Sequence, residues 1–140
     1  MSTYKNGLQT KKQLIERTYD ALLSNRISDL KIRELAKQAG CAASSVYQHF
    51  SSLENLIAVA SIKFLDEYTL AYSKMLNEST DIVKSYLDGW KLFCKFAFHR
   101  PDIFHHLFWG LDAADLEEVM TQYYSIFPLN PPKIYSIQYY

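Results

Sequence analysis

Residues 32–57 read IRELAKQAGCAASSVYQHFSSLENLI, and this stretch decides the fold. Its first part carries apolar residues at positions i, i+3, i+4 and i+7, which is the spacing of one face of an amphipathic helix. These residues are Ile32, Leu35, Ala36 and Ala39. Gly40 follows directly, where a helix end favours a residue that tolerates positive φ. The pattern predicts a helix over residues 32–39 that ends in a tight turn.

A second short helix is predicted over residues 43–50, with Val46 and Phe50 on its inward side. Two helices joined by a tight turn form a helix-turn-helix, whose second helix can enter the major groove of DNA. The outward residues of this second helix are small or polar: Ala43, Ser44, Ser45, Tyr47, Gln48 and His49. Polar side chains of this kind contact phosphates and base edges, and Gln48 suits adenine. An ordinary helical corner has a similar composition, so the spacing alone leaves both interpretations open.

The sequence on either side of this segment also reads at helical period. Upstream, Thr10 is expected to cap a first helix that runs to about Leu23. Downstream, Ser51 and Glu54 have the spacing of a capping box, so a long fourth helix is expected to begin there. Its apolar stripe continues as far as Met75.

Three further helices are predicted in the second half of the chain. They cover about residues 81–99, 103–109 and 113–127. Pro101 can begin the second of them and Asp112 can cap the third. Residues 133–140 are apolar and receive no assignment. The fold class predicted from these elements is all-α.

The segment 32–57, with TKKQLIERTYDALL at residues 10–23 ahead of it, resembles the TetR (tetracycline repressor) family of transcriptional regulators. In that family an apolar-x-x-(Ile/Leu)-Ala-x-x-Ala-Gly pattern leads to a recognition helix ending in Tyr-x-(Tyr/His)-Phe, and a long helix with a Glu-x-Leu start follows. The residues on this pattern are Ile32, Leu35, Ala36, Ala39, Gly40, Tyr47, His49, Phe50, Glu54 and Leu56. The resemblance covers about residues 10–57.

The resemblance implies a three-helix, homeodomain-like head at residues 8–55 and a helical ligand-binding and dimerisation body at residues 56–140. The long fourth helix would join the two. A homodimer on a palindromic operator in double-stranded DNA is implied, with repression released by a small-molecule effector. The residues expected at DNA are Lys11, Lys12, Arg33, Ala43, Ser44, Ser45, Tyr47, Gln48 and His49, with Tyr47 and His49 on phosphates.

The chain departs from the family pattern at several positions. Ala42 stands where a capping Ser or Thr is frequent, Ala43 replaces a frequently basic residue, and Leu53 stands where a lysine commonly touches the DNA backbone. Two lost phosphate contacts flatten the salt dependence of binding by up to about 2 units. Family members also run some fifty residues further, so we expect a truncated chain with an incomplete body.

Charge is unevenly distributed along the 140 residues, although its total is zero. Eight basic and four acidic residues lie before Ser51, while seven basic and eleven acidic residues lie from Ser51 onward. A basic head supports contact with nucleic acid. Cys41 and Cys94 show no metal or disulfide spacing. The polar start and the lack of a long apolar run predict a cytoplasmic protein without a membrane partner.

Aromatic residues are dense in the second half and allow two interpretations. One is a ligand pocket formed by Trp90, Phe93, His99, Phe104, Phe108, Trp109 and Tyr123. The other is ordinary core packing, which aromatic residues at helical spacing more often represent. If further helices are missing, some of these rings would be exposed and would promote self-association.

The second half shows no convincing chemical centre. Asp102 and His106 share a helix face, and His99 and His105 lie near them, but no third ligand has a defined spacing, so surface histidines are expected and no metal. Neither a nucleophile triad nor a phosphate-binding loop is present, so we expect neither enzyme activity nor a cofactor. The alternative function is a helical protein-interaction module with a vestigial helix-turn-helix.

Overall fold

The computed structural model describes residues 2–128, apart from the side chains of residues 2–4 and 113. Within this range it contains seven α-helices and no strand, which confirms the all-α class. The helices are α1 (Ser2–Ser24), α2 (Ile32–Gln38), α3 (Ala43–His49), α4 (Leu53–Glu78), α5 (Ile82–His99), α6 (Pro101–Trp109) and α7 (Ala113–Ile126). The apolar segment 133–140 lies outside the described residues.

Two predicted helix starts are wrong. The first helix begins at Ser2, not at Thr10, whose hydroxyl donates to the Asn6 carbonyl at 2.9 Å inside the helix. The cap of α4 is Ser52, not Ser51, because the Ser52 hydroxyl accepts from the Asn55 backbone N–H at 3.0 Å. At α4, Ser51 and Ser52 are adjacent, and the backbone path placed Ser52 at the cap.

The starts of the last three helices agree with the sequence. The Asp81 carboxylate accepts from two backbone N–H groups at the start of α5. Pro101 occupies the first turn of α6, and Asp112 caps α7 by accepting from the Asp115 backbone N–H at 2.9 Å. These caps satisfy backbone donors that a helix start otherwise leaves unpaired.

Helix α4 is the centre of the packing. It contacts α1, α5, α6 and α7, and its first half is buried almost continuously from Leu56 to Ile62. One apolar core therefore runs from the helix-turn-helix into the rest of the molecule. The boundary predicted between residues 55 and 56 falls in the first turn of α4, and a division into two domains stays a prediction.

The turn between α2 and α3 has the geometry that the sequence indicates. Gly40 has φ +75° and donates its N–H to the Lys37 carbonyl at 3.1 Å, while Cys41 donates to the Ala36 carbonyl at 2.9 Å. These two bonds form a Schellman motif, which closes the end of α2. A side chain at Gly40 would strain the backbone by about 1–2 kcal/mol.

Helix α5 packs with its small residues inward. Its two buried residues are Ser85 and Gly89. A Cβ atom at Gly89 would lie 2.4 Å from Cε2 of Tyr72, so the missing side chain lets the Tyr72 ring approach the α5 backbone. Leu92, Phe93 and Phe96 are half-buried. Six other large apolar residues of α5 are exposed: Ile82, Val83, Tyr86, Leu87, Trp90 and Phe98. The aromatic-rich second half thus leaves a substantial apolar surface uncovered by the described residues.

Candidate nucleic-acid interface

Helix α3 is anchored by two side chains and exposes the rest. Val46 is 0% exposed and Phe50 is 2% exposed, so both pack into the core as predicted. Tyr47, on the opposite side, is 58% exposed. The remaining predicted residues are exposed or half-buried: Ser44 and Gln48 are exposed, and Ala43, Ser45 and His49 are half-buried. The helix therefore presents a polar surface about two turns long.

The start of α3 lacks a side-chain cap. Ala42 occupies the cap position, and its carbonyl accepts from the Ser45 backbone N–H at 3.0 Å. A Ser or Thr at this position would add about 1 kcal/mol to helix stability. Small residues at this end also leave the helix backbone accessible to a partner.

The N-terminal half of α1 lies beside the end of α3. A Cβ atom at Gly7 would lie 3.8 Å from the His49 ring, and the Lys11 ammonium lies 5.8 Å from the centroid of the Phe50 ring. Burial and, to a smaller extent, the charge of Lys11 hold the pKa of His49 below its ordinary value. Lys11 thus adds a positive charge at the edge of the α3 surface.

The other two predicted cations have different positions. Lys12 lies with its ammonium 5.8 Å from the ring centroid of Phe127, at the end of α7. Arg33 is exposed in the first turn of α2. Successive residues on a helix point about 100° apart, so Lys11 and Lys12 diverge although they are neighbours in sequence. The structure brings Lys11 to the α3 residues and turns Lys12 toward α7.

A separate aromatic cleft lies between α4 and α5. It has a volume of about 270 Å³ and is lined by Tyr68, Tyr72, Tyr86, Gly89, Trp90 and Phe93. Trp90 and Phe93 belong to the pocket predicted from the sequence, whereas the three tyrosines and the glycine were missed. The sequence did contain a signal for the three tyrosines. Tyr68 and Tyr72 are four residues apart on a helix, as are Tyr86 and Trp90, and residues at this spacing lie side by side.

The remaining residues of that predicted pocket do not line the cleft, although the Phe104 ring meets that of Phe93 with centroids 5.8 Å apart. Phe104 is buried and stacks on Phe108, with ring centroids 5.8 Å apart. Tyr123 is buried against Phe127. His99 lines a polar groove with the end of α1, and Trp109 is 74% exposed. The seven residues do not line one cavity.

A polar corner between α5 and α6 holds the end of α1. Arg100 donates to the carbonyl of Leu22 and, at 2.9 Å, to that of Asn25. The same guanidinium donates to Asp102 at 3.1 Å, and the Asp102 carboxylate accepts from the Ile27 backbone N–H at 3.2 Å. Burial raises the pKa of a carboxyl group, but the hydrogen bonds from Arg100 and Ile27 outweigh it and hold the pKa of Asp102 below its ordinary value. The sequence did not indicate this contact.

Two further properties concern the described residues only. No group of three His, Cys, Asp or Glu side chains within residues 2–128 is arranged to hold a metal ion. Asp102, which shares a helix face with His106, is already engaged by Arg100. None of the described helices combines the length and the apolar character needed to cross a membrane.

Part of the chain is similar to a known protein. No family model matches the chain. Over 72 residues, or 51% of the chain, it is 28% identical to a Haemophilus influenzae protein described as an uncharacterized HTH-type transcriptional regulator. The chain covers 33% of that relative's length. The chain is therefore similar to one part of a helix-turn-helix regulator.

Proposed function

We propose that this chain is a DNA-binding transcriptional regulator of the TetR type, a ligand-responsive repressor that binds a palindromic operator as a homodimer in the cytoplasm. The observation that carries the proposal is the orientation of α3. Val46 and Phe50 fix the helix to the core, while Tyr47, Ser44 and Gln48 remain exposed. The partial similarity to a helix-turn-helix regulator supports the coarser part of the proposal, a DNA-binding transcriptional regulator.

The dimensions of α3 suit a major groove. An α-helix with its side chains is about 10–12 Å in diameter, and the major groove of B-DNA is about 12 Å wide, so α3 can lie in the groove. In this arrangement Gln48 reads adenine, and Tyr47 and His49 contact phosphates on the two sides. Ala43, Ser44 and Ser45 allow the start of the helix to approach the bases.

Basic residues supply the long-range attraction to DNA. Lys11 lies beside α3, and Arg33 is exposed on α2. Lys12 remains a candidate, although it lies over Phe127. Each phosphate contact releases counterions, so the affinity falls as the salt concentration rises.

The proposed regulation acts through the spacing of two recognition helices. A dimer reads two half-sites about 34–36 Å apart, which is one turn of DNA. An effector that favours a different arrangement of the body changes this spacing and lowers the affinity for the operator. The polar corner formed by Arg100 and Asp102 joins the α5–α6 end of the body to α1, and so offers a route for that change.

Selection of bound duplexes from a random-sequence library tests the proposal. We expect enrichment of a palindrome and binding as a dimer. Tyr47→Ala and Gln48→Ala should each weaken binding to the enriched duplex at least tenfold, whereas Trp109→Ala on α6 should leave it unchanged. All three positions are exposed, so folding should be preserved, as checked by circular dichroism.

The alternative function is a protein-interaction module with a vestigial helix-turn-helix. The exposed apolar residues of α5 favour it, because uncovered surfaces of this kind mark interaction sites. It predicts DNA binding that disappears between low and moderate salt and shows no sequence preference. A library that yields no enriched sequence would refute the regulator and favour the module.

A further inference from the structure

We propose that the aromatic cleft between α4 and α5 binds a compact organic cation of the quaternary ammonium class. The cleft is lined by five aromatic residues and Gly89, and none of the charged side chains that the structure describes lines it. The inference that such a cation is the effector rests on the proposed regulatory function. Binding of the cation to the cleft can nevertheless be measured without DNA.

The angles between the rings favour a compact ligand over a flat one. Phe93 meets Tyr68 at 71° and Trp90 at 86°, with ring centroids 5.7 and 5.9 Å apart. Tyr86 meets Trp90 at 78°. Tyr68 and Tyr72 are nearly parallel, at 17°, but their ring centroids are 6.1 Å apart, less than the about 7 Å that a flat aromatic ligand between two rings needs. Rings at steep angles present faces from several directions to one space, as in the aromatic cages that recognise quaternary ammonium groups.

In the part of the chain that the structure describes, the cleft rings carry no cation of the protein itself. Within the described residues, the chain's own cations lie over four other rings, those of Phe50, Phe127, Tyr19 and Phe64. None of them lies over a ring of the cleft in this part of the chain. The negative ring faces of the cleft therefore keep their attraction for a ligand.

Tyrosine hydroxyls add polar contacts without adding charge. Tyr68, Tyr72 and Tyr86 form no hydrogen bond through their hydroxyl groups among residues 2–128, so three phenol oxygens remain able to contact a ligand. The groove next to the cleft carries Lys74 and Lys84 together with Glu78 and Asp88. These opposite charges balance, so the rings rather than a net local charge determine the selectivity.

Choline and 3,3-dimethylbutan-1-ol provide the matched pair of probes. They have nearly the same shape, and only choline carries a charge. We expect calorimetry on the full chain to show that choline binds at least tenfold more tightly than the neutral alcohol. Binding should also change the tryptophan fluorescence, because Trp90 lines the cleft.

Three variants test the location of the site. Trp90→Leu should weaken choline binding at least tenfold, and Trp109→Leu, which replaces an exposed tryptophan outside the cleft, should leave it unchanged. Gly89→Ala should also weaken binding, because its new Cβ atom displaces the Tyr72 ring. Circular dichroism and the thermal midpoint confirm that each variant is folded.

Several outcomes would overturn the cation site. Equal affinity for the two probes would show that the cleft is an apolar groove without selectivity for a cation. No binding at millimolar choline would exclude the site. A dimer that sediments as a monomer after Trp90→Leu would also exclude it, because a second copy of the chain would then cover the cleft. Operator binding without choline binding refutes this inference alone, and choline binding without any operator refutes the proposed regulator alone.

Discussion

The Asp102 carboxylate accepts a hydrogen bond from the Ile27 backbone N–H at 3.2 Å, although 75 residues separate the two in the sequence. Ile27 begins the short 3₁₀ turn that leads into the helix-turn-helix, and Asp102 lies in the first turn of α6. Arg100 bonds both to this carboxylate and to the carbonyls at the end of α1. The corner thus fixes the position of the N-terminal helices relative to α5 and α6.

Loss of the Asp102 charge should weaken this corner. We expect Asp102→Asn to lower the free energy of unfolding by about 1–2 kcal/mol, because a partly buried, charge-assisted pair loses its carboxylate. Asp20→Asn is the matched control, since Asp20 pairs with Arg17 at the surface, where both side chains are at least half exposed. It should change the stability by less than about 0.5 kcal/mol. Urea denaturation measures both, and equal effects would contradict the assignment.

The same carboxylate should make stability depend on acid pH. The pKa of Asp102 is lower in the folded chain than its ordinary value of about 3.9, so the unfolded chain binds the proton more tightly. Its contribution is complete above that ordinary value and is lost as the pH falls through the folded-state pKa. Stability measured from pH 5 downward should fall less steeply in Asp102→Asn than in the wild type.

Lys11 and Lys12 should differ in their effect on DNA binding. Lys11 lies beside α3, whereas Lys12 lies over Phe127. Lys11→Gln should reduce the slope of log affinity against log salt by about 0.9, the value of one phosphate contact. Lys12→Gln should change it much less. Fluorescence anisotropy over a salt series measures both slopes, and a larger effect at Lys12 would contradict the proposed DNA surface.

His49 should make stability depend on pH near neutrality. Burial, together with the charge of Lys11, keeps the pKa of His49 lower in the folded chain than its ordinary value of about 6.5. The unfolded chain then binds the proton more tightly, so stability falls as the pH decreases from about 6.5 through the folded-state pKa. His49→Gln should remove this component, and His105→Gln, at an exposed position, should keep it. Denaturation between pH 7.5 and 5 provides the comparison.

Gly89 and Tyr72 should show a strong coupling in a double-mutant cycle. Gly89→Ala places a Cβ atom 2.4 Å from the Tyr72 ring, and overpacking of this kind costs about 1–3 kcal/mol. In a Tyr72→Ala background the ring is absent, and the same change should stabilise α5 by about 0.8 kcal/mol through helix propensity. The sign of the Gly89→Ala effect should therefore reverse. An unchanged sign would show that the ring does not limit the approach of the helices.

Much of the helix-turn-helix followed from the sequence. The order of apolar residues fixed which side of α2 and α3 is buried, since a helix brings every third or fourth residue to one face. Gly40 marked the turn because its positive φ is available to few other residues. Val46 and Phe50 were therefore placed in the core, and Tyr47 on the surface, by local rules alone.

The tertiary structure decided what local rules leave open. Periodicity groups the residues of one helix but does not say which neighbour each face meets. Lys11 and Lys12 were predicted together and are separated in the fold. The residues of the predicted aromatic pocket are divided among a cleft, the core and the exposed surface. The Arg100–Asp102 corner had no sequence signal, because its partners are backbone groups that every residue possesses.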